Sequence, residues 1–422
     1  MSKIVDLTSF EILDSRGIPT ILTKVTLENG ISSKSSVPSG ASTGKHEAVE
    51  LRDKDKGRYF GKGVKKNLSI IHSIINDALQ GLSVFDQKKI DNLLIQLDGT
   101  DNKRKLGANT LLSVSMAVSS AAAKANNLEL FQHIGGINAR LLPIPLVNII
   151  NGGAHAQNNL DIQEFMIVPI GSNTFQEAIM WCSKVFYNLK DIIISKGYST
   201  GIGDEGGFAS QFKNNNEPLE LIIKAIKKSQ LKPEKDVLIS LDVASTEFFK
   251  KNYYYLSAEN KKLSSNGLVS YLKDLTNKYP IFSIEDGCAE DDWNGWSALT
   301  KELGNRLLVG DDLFVTNLIR LNKGIKKKCA NSILIKPNQI GTLSETLDCI
   351  NLAKSNAFET VISHRSGETE DTFIADLSIG TNSKFIKTGS INRSERCAKY
   401  NRLLYLEKLY KNLEYSGNLL NV

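Results

Sequence analysis

Five hydrophobic runs in the second half of the sequence each end in a side chain that could take part in catalysis. The residues at these ends are Asp242, Glu285, Asp311, Lys336 and His364. From Glu285 onward, successive ends lie 25 to 28 residues apart, which is the length of one strand, one helix and two loops. In a barrel of repeated β/α units, the carboxyl ends of the strands meet on one face. The spacing therefore predicts a pocket that holds three carboxylates, a lysine and a histidine.

The three carboxylates favour a magnesium site. Asp242, Glu285 and Asp311 offer hard oxygen ligands, and no C-x-x-C pair or compact histidine pair accompanies them. Oxygen ligands suit Mg²⁺, which keeps positions open for water and substrate. A carboxylate at a strand end can also cap a helix or pair with a lysine, but three in register favour the metal. Asp286 and Asp312 directly follow two of these residues. Because adjacent side chains on an extended strand point in opposite directions, only one acid of each pair is expected to reach the ion.

Lys336 is the predicted base. It ends the run NSILIK, so a barrel would enclose its stem and leave its amine beside the predicted metal ions. Nearby cations and partial burial both lower the pKa of a lysine, which makes a neutral amine available near pH 7. A buried lysine that pairs with a carboxylate is the alternative.

The next two strand ends carry groups that bind anions. His364, Arg365 and Ser366 are consecutive, and Lys387 lies in the run FIKTGS. A phosphate accepts two hydrogen bonds from one guanidinium, and serine and lysine add a donor and a charge. These residues predict that the substrate is a small phosphorylated acid.

Two glycine-rich segments resemble nucleotide-binding motifs but lack their key features. GASTGK at 40–45 has three residues between its glycines where a P-loop has four, and His46 stands where the P-loop has Ser or Thr. GIGDEGG at 201–207 contains G-x-G-x-x-G, but Asp204 and Glu205 would repel a pyrophosphate. We interpret the second segment as a loop that presents an acid.

Length and composition predict a globular protein of two or three domains. The chain has 422 residues, of which 41% are hydrophobic and 23% charged. No apolar run approaches the roughly 18 residues of a membrane span, and the N-terminal segment carries acids where a signal peptide is apolar. The five cysteines are scattered, which favours reduced thiols. We therefore expect a cytoplasmic protein with no membrane partner.

The net charge of +6 raises the question of nucleic-acid binding. The densest basic segment is KKNYYYLSAENKK at 250–262. An exposed β-hairpin explains this segment better, because no known nucleic-acid module surrounds it. No nucleic-acid partner is expected.

The first third of the chain follows a different pattern. Alternating hydrophobic residues in IVDLTSFEIL and PTILTKVTLENG predict antiparallel strands, with a tight turn at Asn29-Gly30. Helical patterns follow over 65–80, 86–98 and 107–125. The Gly- and Pro-rich segment at 135–145 predicts a domain boundary. We predict an N-terminal α+β capping domain over residues 1–135 and a catalytic β/α barrel over residues 140–422.

Several longer segments are specific in their length and order. They are PSGASTG, NGGAH, QEFM, GDEGGFA, SIED with AEDDW, GDDLFVTN, IKPNQIGTL, SHRSGETEDTFIADL, and IKTGS with RSERCAKYN. Together they resemble the enolase family from Asp14 to the final helix. The resemblance implies an α/β fold in which an N-terminal α+β domain caps a modified (β/α)8 barrel of TIM type, whose first units are not regular β/α pairs. It also implies a lyase of glycolysis and gluconeogenesis that reversibly dehydrates 2-phospho-D-glycerate to phosphoenolpyruvate.

The resemblance assigns a role to each matching position. Lys336 would remove the proton at C2, and Glu205 would protonate the departing C3 hydroxyl. The expected metal ligands are Asp242, Glu285, Asp311 and, for a second Mg²⁺ that arrives with substrate, Ser42. The expected substrate contacts are His155, Gln163, Glu164, Arg365, Ser366 and Lys387. The resemblance also implies a homodimer, or an octamer in some bacteria.

Three positions depart from the usual pattern of the family. Gly287 and Cys288 follow SIED where a proline and an apolar residue are usual, and Ser210 replaces a proline beside the acid-bearing loop. None of them is a reacting group. We expect looser loops and retained activity.

Other functions stay open at this point. A sugar-acid dehydratase or racemase of the same superfamily would share the metal ligands but would not need the phosphate-binding groups. A barrel glycosidase would use paired carboxylates without Mg²⁺ or a lysine. An RNA-processing scaffold or a surface adhesin, with a secondary cell-surface pool, would coexist with catalysis, but no motif points to it.

Overall fold

The computed structural model describes residues 2–41 and 44–419. Ser42, the expected ligand of a second Mg²⁺, lies outside these residues.

The N-terminal part begins with an antiparallel sheet in the order β1-β2-β3. Its strands are β1 (Ile4–Leu13), β2 (Pro19–Leu27) and β3 (Ser32–Ser36). Alternate residues of β2, among them Ile21 and Val25, point into a hydrophobic core. Gly30 has φ +81° in the predicted turn, a conformation that glycine adopts without strain. The predicted strands and turn are confirmed.

Helices follow this sheet and connect it to the rest of the molecule. They are α1 (Lys65–Ile70), a π-helical turn (Ile71–Ile75), α2 (Asn76–Leu79), α3 (Gln87–Asp98), α4 (Ala108–Ala125) and α5 (Leu130–Gly135). Helix α4 is buried on nearly all sides, which its many alanine and serine residues permit. Leu111 and Val114 pack into the core of the N-terminal sheet, whereas Leu112 and Met116 pack into a second, larger core. Helix α4 therefore joins the two cores.

The larger core fills and surrounds a closed barrel. The strands after α5 are β4 (Leu141–Leu142), β5 (Ile144–Asn151), β6 (Glu164–Val168), β7 (Leu238–Asp242), β8 (Phe249–Lys250), β9 (Tyr253–Leu256), β10 (Lys261–Leu263), β11 (Ile281–Glu285), β12 (Leu307–Gly310), β13 (Ser332–Ile335), β14 (Glu359–Ser363), β15 (Phe385–Lys387) and β16 (Glu414–Tyr415). The barrel order is β5-β6-β7-β11-β12-β13-β14-β15. Strand β6 is antiparallel to both of its neighbours, and the other neighbours are parallel. The modified barrel is thereby confirmed, including its irregular first units.

Helices provide the crossovers that parallel strands require. They are α6 (Phe175–Ser195), α7 (Asn216–Lys228), α8 (Ser265–Lys278), α9 (Trp293–Leu303), α10 (Leu318–Lys327), α11 (Leu343–Ser355), α12 (Phe373–Gly380) and α13 (Ser394–Leu409). Because a helix follows each strand from β11 onward, the carboxyl ends of these strands lie on the same face of the barrel. None of the described helices combines the length and the hydrophobicity that crossing a bilayer requires.

The basic segment at 250–262 forms the small antiparallel sheet β8-β9-β10, as the hairpin prediction requires. The Nζ atom of Lys262 lies 4.1 Å from the ring centre of Tyr253 and 5.7 Å from that of Tyr255. Lysine and tyrosine side chains therefore stabilise each other on this surface.

The N-terminal part contacts the loops at the carboxyl face of the barrel. Ser39 pairs with Gly367 in an isolated β-bridge. On the other side of the contact, the Nζ atom of Lys103 lies 2.8 Å from Oε1 of Glu345. These contacts bring residue 47 into the pocket described below. The domain limits at 135 and 140 stay a prediction.

Candidate active site

The structure brings the candidate residues together in one buried pocket at the carboxyl ends of the strands. Its lining includes Glu47, His155, Gln163, Glu164, Glu205, Asp242, Asp311, Lys336, His364, Arg365, Ser366 and Lys387. The cavity has a volume of about 30 Å³, close to the space of one water molecule in the liquid. Its charged side chains therefore contact each other directly.

Asp242 and Glu285 are paired residues on the neighbouring strands β7 and β11. The Nζ atom of Lys387 lies 2.9 Å from both carboxylate oxygens of Glu285 and 3.1 Å from Oδ2 of Asp242. Oδ2 of Asp242 also accepts a hydrogen bond of 3.2 Å from the amide of Gln163. Burial raises the pKa of Glu285, and the nearby Asp242 raises it further. Burial alone would lower the pKa of Lys387, but the surrounding carboxylates outweigh it and the pKa is well above its ordinary value.

Asp311 follows β12 and pairs with Lys336, which follows β13. The Nζ atom of Lys336 lies 2.5 Å from Oδ2 of Asp311, and Gln339 donates a hydrogen bond of 2.8 Å to Oδ1. Burial acts to lower the pKa of Lys336, but the surrounding carboxylates, Asp311 foremost and Glu285 after it, together outweigh it and the net direction is upward. The predicted lowering of the pKa of Lys336 depends on metal ions beside the amine and stays a prediction. A buried lysine bonded to a carboxylate, the alternative considered from the sequence, is what the described residues form.

Asp286 and Asp312 are the second acids of the two strand-end pairs, and the carboxylate of Asp286 bonds to the backbone and not, among the described residues, to a lysine. Both oxygens of Asp286 accept hydrogen bonds from the backbone, at 2.9 Å from the amide of Asp311 and 2.8 Å from that of Asp312. Ligand atoms of these three acids lie within 4.8 Å of one another. Burial raises the pKa of Asp286, and the neighbouring Asp312 adds to this effect. Asp286 thus holds the loop after β12 in place, and which acid of each pair reaches an ion stays a prediction.

A second cluster forms around Glu205, in the loop that precedes α7. His155 ends a short 3-10 turn after β5, and its Nδ1 lies 3.5 Å from Oε1 of Glu205 and 3.6 Å from Oε1 of Glu164. On the other side, Nε2 of His364 lies 3.6 Å from the same oxygen of Glu205. The amide of Asn148 donates a hydrogen bond of 3.2 Å to Oε2 of Glu205. Glu205 therefore stands between two histidines.

The two glutamates of this cluster have pKa values shifted in opposite directions. Burial raises the pKa of Glu164, and the adjacent charge of Glu205 raises it further. Burial also acts to raise the pKa of Glu205, but His155 and His364 outweigh it and the net direction is downward. Of the two carboxyl groups, Glu205 therefore has the lowered pKa and Glu164 the raised one.

The groups expected to bind a phosphate contact the N-terminal part. Arg365 forms two hydrogen bonds with Glu47, of 2.8 and 3.2 Å, so the guanidinium fork binds a carboxylate in the way that the sequence predicted for a phosphate. The hydroxyl of Ser366 accepts a hydrogen bond of 2.6 Å from the backbone amide of Ala41. Ala41 and Glu47 therefore lie directly over the strand ends.

Sequence reasoning missed four residues that contact the candidate groups: Glu47, Asn148, Gln339 and Arg396. Arg396 is fully buried and lies 2.5 Å from Nδ1 of His364. Gln339 and Arg396 lie inside the segments IKPNQIGTL and RSERCAKYN, and Glu47 lies three residues after PSGASTG, but nothing in the sequence indicated their partners.

The three departures from the family pattern are packed into the structure. Cys288 is fully buried. A Cβ atom on Gly287 would lie 2.7 Å from Cδ2 of Leu299, so a larger residue would require the Leu299 side chain to shift. The hydroxyl of Ser210 donates a hydrogen bond to the carbonyl of Ser199. These contacts oppose the expected loosening of the two loops.

The fold and the pocket define a β/α-barrel enzyme in which acidic side chains and buried cations share one strand-end site. Comparison with known families narrows this class. The family model for the enolase N-terminal domain matches residues 4–134, and the model for the enolase C-terminal TIM barrel domain matches residues 139–421. The chain belongs to the enolase family over essentially its whole length. It is a lyase of the enolase superfamily, whose members generally bind Mg²⁺, and the acidic clusters of the pocket could hold such an ion.

Proposed function

We propose that this chain catalyses the Mg²⁺-dependent, reversible dehydration of 2-phospho-D-glycerate to phosphoenolpyruvate, a step of glycolysis and gluconeogenesis. The observation that carries the proposal is the meeting, in one enclosed pocket, of Lys336 and Glu205 with the phosphate-binding group Arg365 and the carboxylates at the ends of β7, β11 and β12. A base, an acid and anion-binding groups are the parts that this elimination requires.

The residues present fit a divalent cation. Asp242, Glu285 and Asp311 supply oxygen ligands, and the ammonium of Lys387 already lies within 3.1 Å of the first two, so this position attracts positive charge. When bound, Mg²⁺ would neutralise the second negative charge that the substrate carboxylate gains on loss of the C2 proton. We propose that Ser42 helps to hold the second ion.

Lys336 is the proposed base that removes the C2 proton. It can act only when its bond with Asp311 loosens, because that carboxylate raises the pKa of the amine. Competition for the oxygens of Asp311, which the proposed metal binding would supply, favours this release. The side chain of Lys336, which is 13% exposed, holds the amine at the pocket.

Glu205 is the proposed acid that protonates the departing C3 hydroxyl. Since its pKa is lowered by two histidines, it needs a proton from a neighbour before it can act. We propose Glu164 as the source of that proton, because its pKa is raised and its Oε1 lies 3.6 Å from Nδ1 of His155, which also faces Glu205. We assign His155 and Glu164 to the surroundings of the leaving group.

The remaining residues are assigned to substrate binding. Arg365 and Ser366 would exchange Glu47 and the backbone of Ala41 for phosphate oxygens, and Lys387 and Gln163 would face the substrate carboxylate. Because Arg365 and Ser366 are bonded to Glu47 and Ala41, phosphate binding must displace these two partners locally. We further propose a cytoplasmic homodimer that acts on a small phosphorylated acid and has no nucleic-acid or membrane partner.

The test follows phosphoenolpyruvate absorbance after addition of 2-phospho-D-glycerate, with Mg²⁺ and after treatment with EDTA. We expect turnover that EDTA abolishes and added Mg²⁺ restores. Turnover that survives EDTA, or turnover of a sugar acid without phosphate but not of 2-phospho-D-glycerate, would contradict the proposal. The first outcome would indicate an elimination that needs no metal ion, and the second another branch of the superfamily.

A further inference from the structure

Arg396, the third residue of α13, is fully buried, and its guanidinium contacts His364 of the strand-end pocket. It donates hydrogen bonds of 2.5 Å to the carbonyl oxygens of Arg365 and Ser366 and of 3.2 Å to that of Asp204. The same group lies 2.5 Å from Nδ1 of His364. Arg396 thus links the loop that carries Glu205 to the end of β14.

The contact with His364 determines which ring nitrogen carries the proton. A guanidinium is only a donor and stays protonated at any ordinary pH. Nδ1 of His364 must therefore accept this hydrogen bond, and the proton of the neutral ring resides on Nε2. A doubly protonated ring would place an N–H group against the guanidinium, which burial and the positive charge both oppose.

The other ring nitrogen points to the acid cluster. Nε2 of His364 is buried without a hydrogen-bond partner among the described residues and lies 3.6 Å from Oε1 of Glu205. A buried donor without a partner is costly, so it indicates a group that acquires one during function. Gly389 allows this approach, because a Cβ atom there would lie 3.0 Å from Arg396, His364 and the Glu205 carbonyl.

We propose that Arg396 is a positioning residue that holds His364 in its Nε2–H tautomer, so that His364 presents a neutral N–H donor to Glu205 and to the oxygen that leaves the substrate. Its role in turnover rests on the proposed function, whereas the tautomer does not. The donor would stabilise the carboxylate form of Glu205 after its proton has gone to the leaving hydroxyl.

The tautomer is measurable in the free protein. The chain contains five histidines, so a ¹⁵N–¹H correlation spectrum of protein labelled with ¹⁵N-histidine is simple, and His364→Gln identifies the signal of this ring. We expect an unprotonated Nδ1 and a protonated Nε2 at pH 7. A protonated Nδ1, or a doubly protonated ring, would overturn the proposal.

Kinetics provide the second readout. We expect Arg396→Met to lose the fixed tautomer and to lower kcat about 10- to 100-fold, as partners that orient a histidine do, with KM changed less than about threefold. Arg402→Met is the matched control, because Arg402 lies on the same helix but pairs with Asp376 and Glu129 outside the pocket. Arg396→Lys keeps a donor and a charge and should keep the tautomer.

The possible outcomes are distinct. If Arg396→Met keeps both the tautomer and kcat, Arg396 is only structural and the proposal fails. If Arg396→Met does not fold, the spectra of the wild-type protein and of Arg396→Lys still show which nitrogen of His364 carries the proton. Absence of turnover in the wild-type protein would contradict the proposed function without changing the result for the tautomer.

Discussion

At the scale of single residues, the pocket is organised by pairs of opposite charge. Lys336 binds Asp311, Lys387 binds Asp242 and Glu285, and Arg365 binds Glu47. A buried charge is costly unless it is paired, so each group finds a partner within the protein. Any anionic substrate and any metal ion must compete with these pairs. The ion pairs that break at the lowest cost in free energy are therefore the ones that substrate and metal ions replace.

Removal of the proposed base tests the chemistry directly. We expect Lys336→Ala to lower the rate of phosphoenolpyruvate formation by about 10²- to 10⁴-fold or more, the contribution typical of a positioned base. Lys88→Ala, at an exposed lysine, is the control and should keep the wild-type rate. Equal rates for Lys336→Ala and the wild-type protein would refute the assignment.

Replacement of the arginine fork tests the phosphate-binding role. Lysine keeps the charge of Arg365 but loses one of two parallel hydrogen bonds, a loss of about 1.5 to 3 kcal/mol. We expect Arg365→Lys to raise KM about tenfold or more, with a smaller change in kcat, in steady-state kinetics. An unchanged KM for Arg365→Lys would place the phosphate elsewhere in the pocket.

At the scale of elements, close packing of helices depends on residues without side chains. Helix α5 contacts α12 at Gly135, where a Cβ atom would lie 2.0 Å from the carbonyl oxygen of Gly380. In turn, a Cβ atom on Gly380 would lie 2.9 Å from the side chain of Ile134. The two backbones therefore approach too closely for any larger residue.

Stability measurements can test this packing. We expect Gly135→Ala to lower the free energy of unfolding by about 1 to 3 kcal/mol, because one helix must move away from the other. The control is Gly267→Ala in the first turn of α8, where the nearest atom lies at the ordinary contact distance of 3.4 Å. There alanine should leave stability unchanged or raise it by about 0.4 to 1 kcal/mol. Urea denaturation of both variants gives the comparison.

At the scale of the whole molecule, buried pairs attach the N-terminal part to the barrel. Lys103 is 4% exposed and binds Glu345 on α11 at 2.8 Å. Lys88 also reaches α11, at 4.0 Å from Asp348, but this second pair is exposed. The two pairs connect the same parts of the molecule and differ mainly in burial.

This difference predicts unequal effects of the same substitution. We expect Lys103→Met to destabilise the protein by about 1 to 2 kcal/mol, because Glu345 then keeps a largely buried charge without its partner. Lys88→Met should change stability by less than about 0.5 kcal/mol, as exposed ion pairs contribute little. Thermal unfolding of the two variants tests the prediction, and equal shifts in Tm would contradict it.

The proposed homodimer also belongs to this scale. Sedimentation analysis should give twice the chain mass of 46.5 kDa. A species of one chain mass would contradict the homodimer, and a species of eight chain masses would indicate the octamer known for some members of the family.

The sequence by itself determined the barrel, the strand ends at Asp242, Glu285, Asp311 and Lys336, and the family, because hydrophobic periodicity and long motifs are local properties of the chain. Only the tertiary structure decided which charges meet. Sequence reasoning did not reveal that the amine of Lys336 bonds to Asp311, whose charge acts to raise the pKa of that amine. Glu47 lies hundreds of residues before its partner Arg365, and Arg396 lies on the separate helix α13. The contacts of both residues depend on how the loops pack. Electrostatic interactions fall with distance through space, and separation along the chain does not reveal that distance.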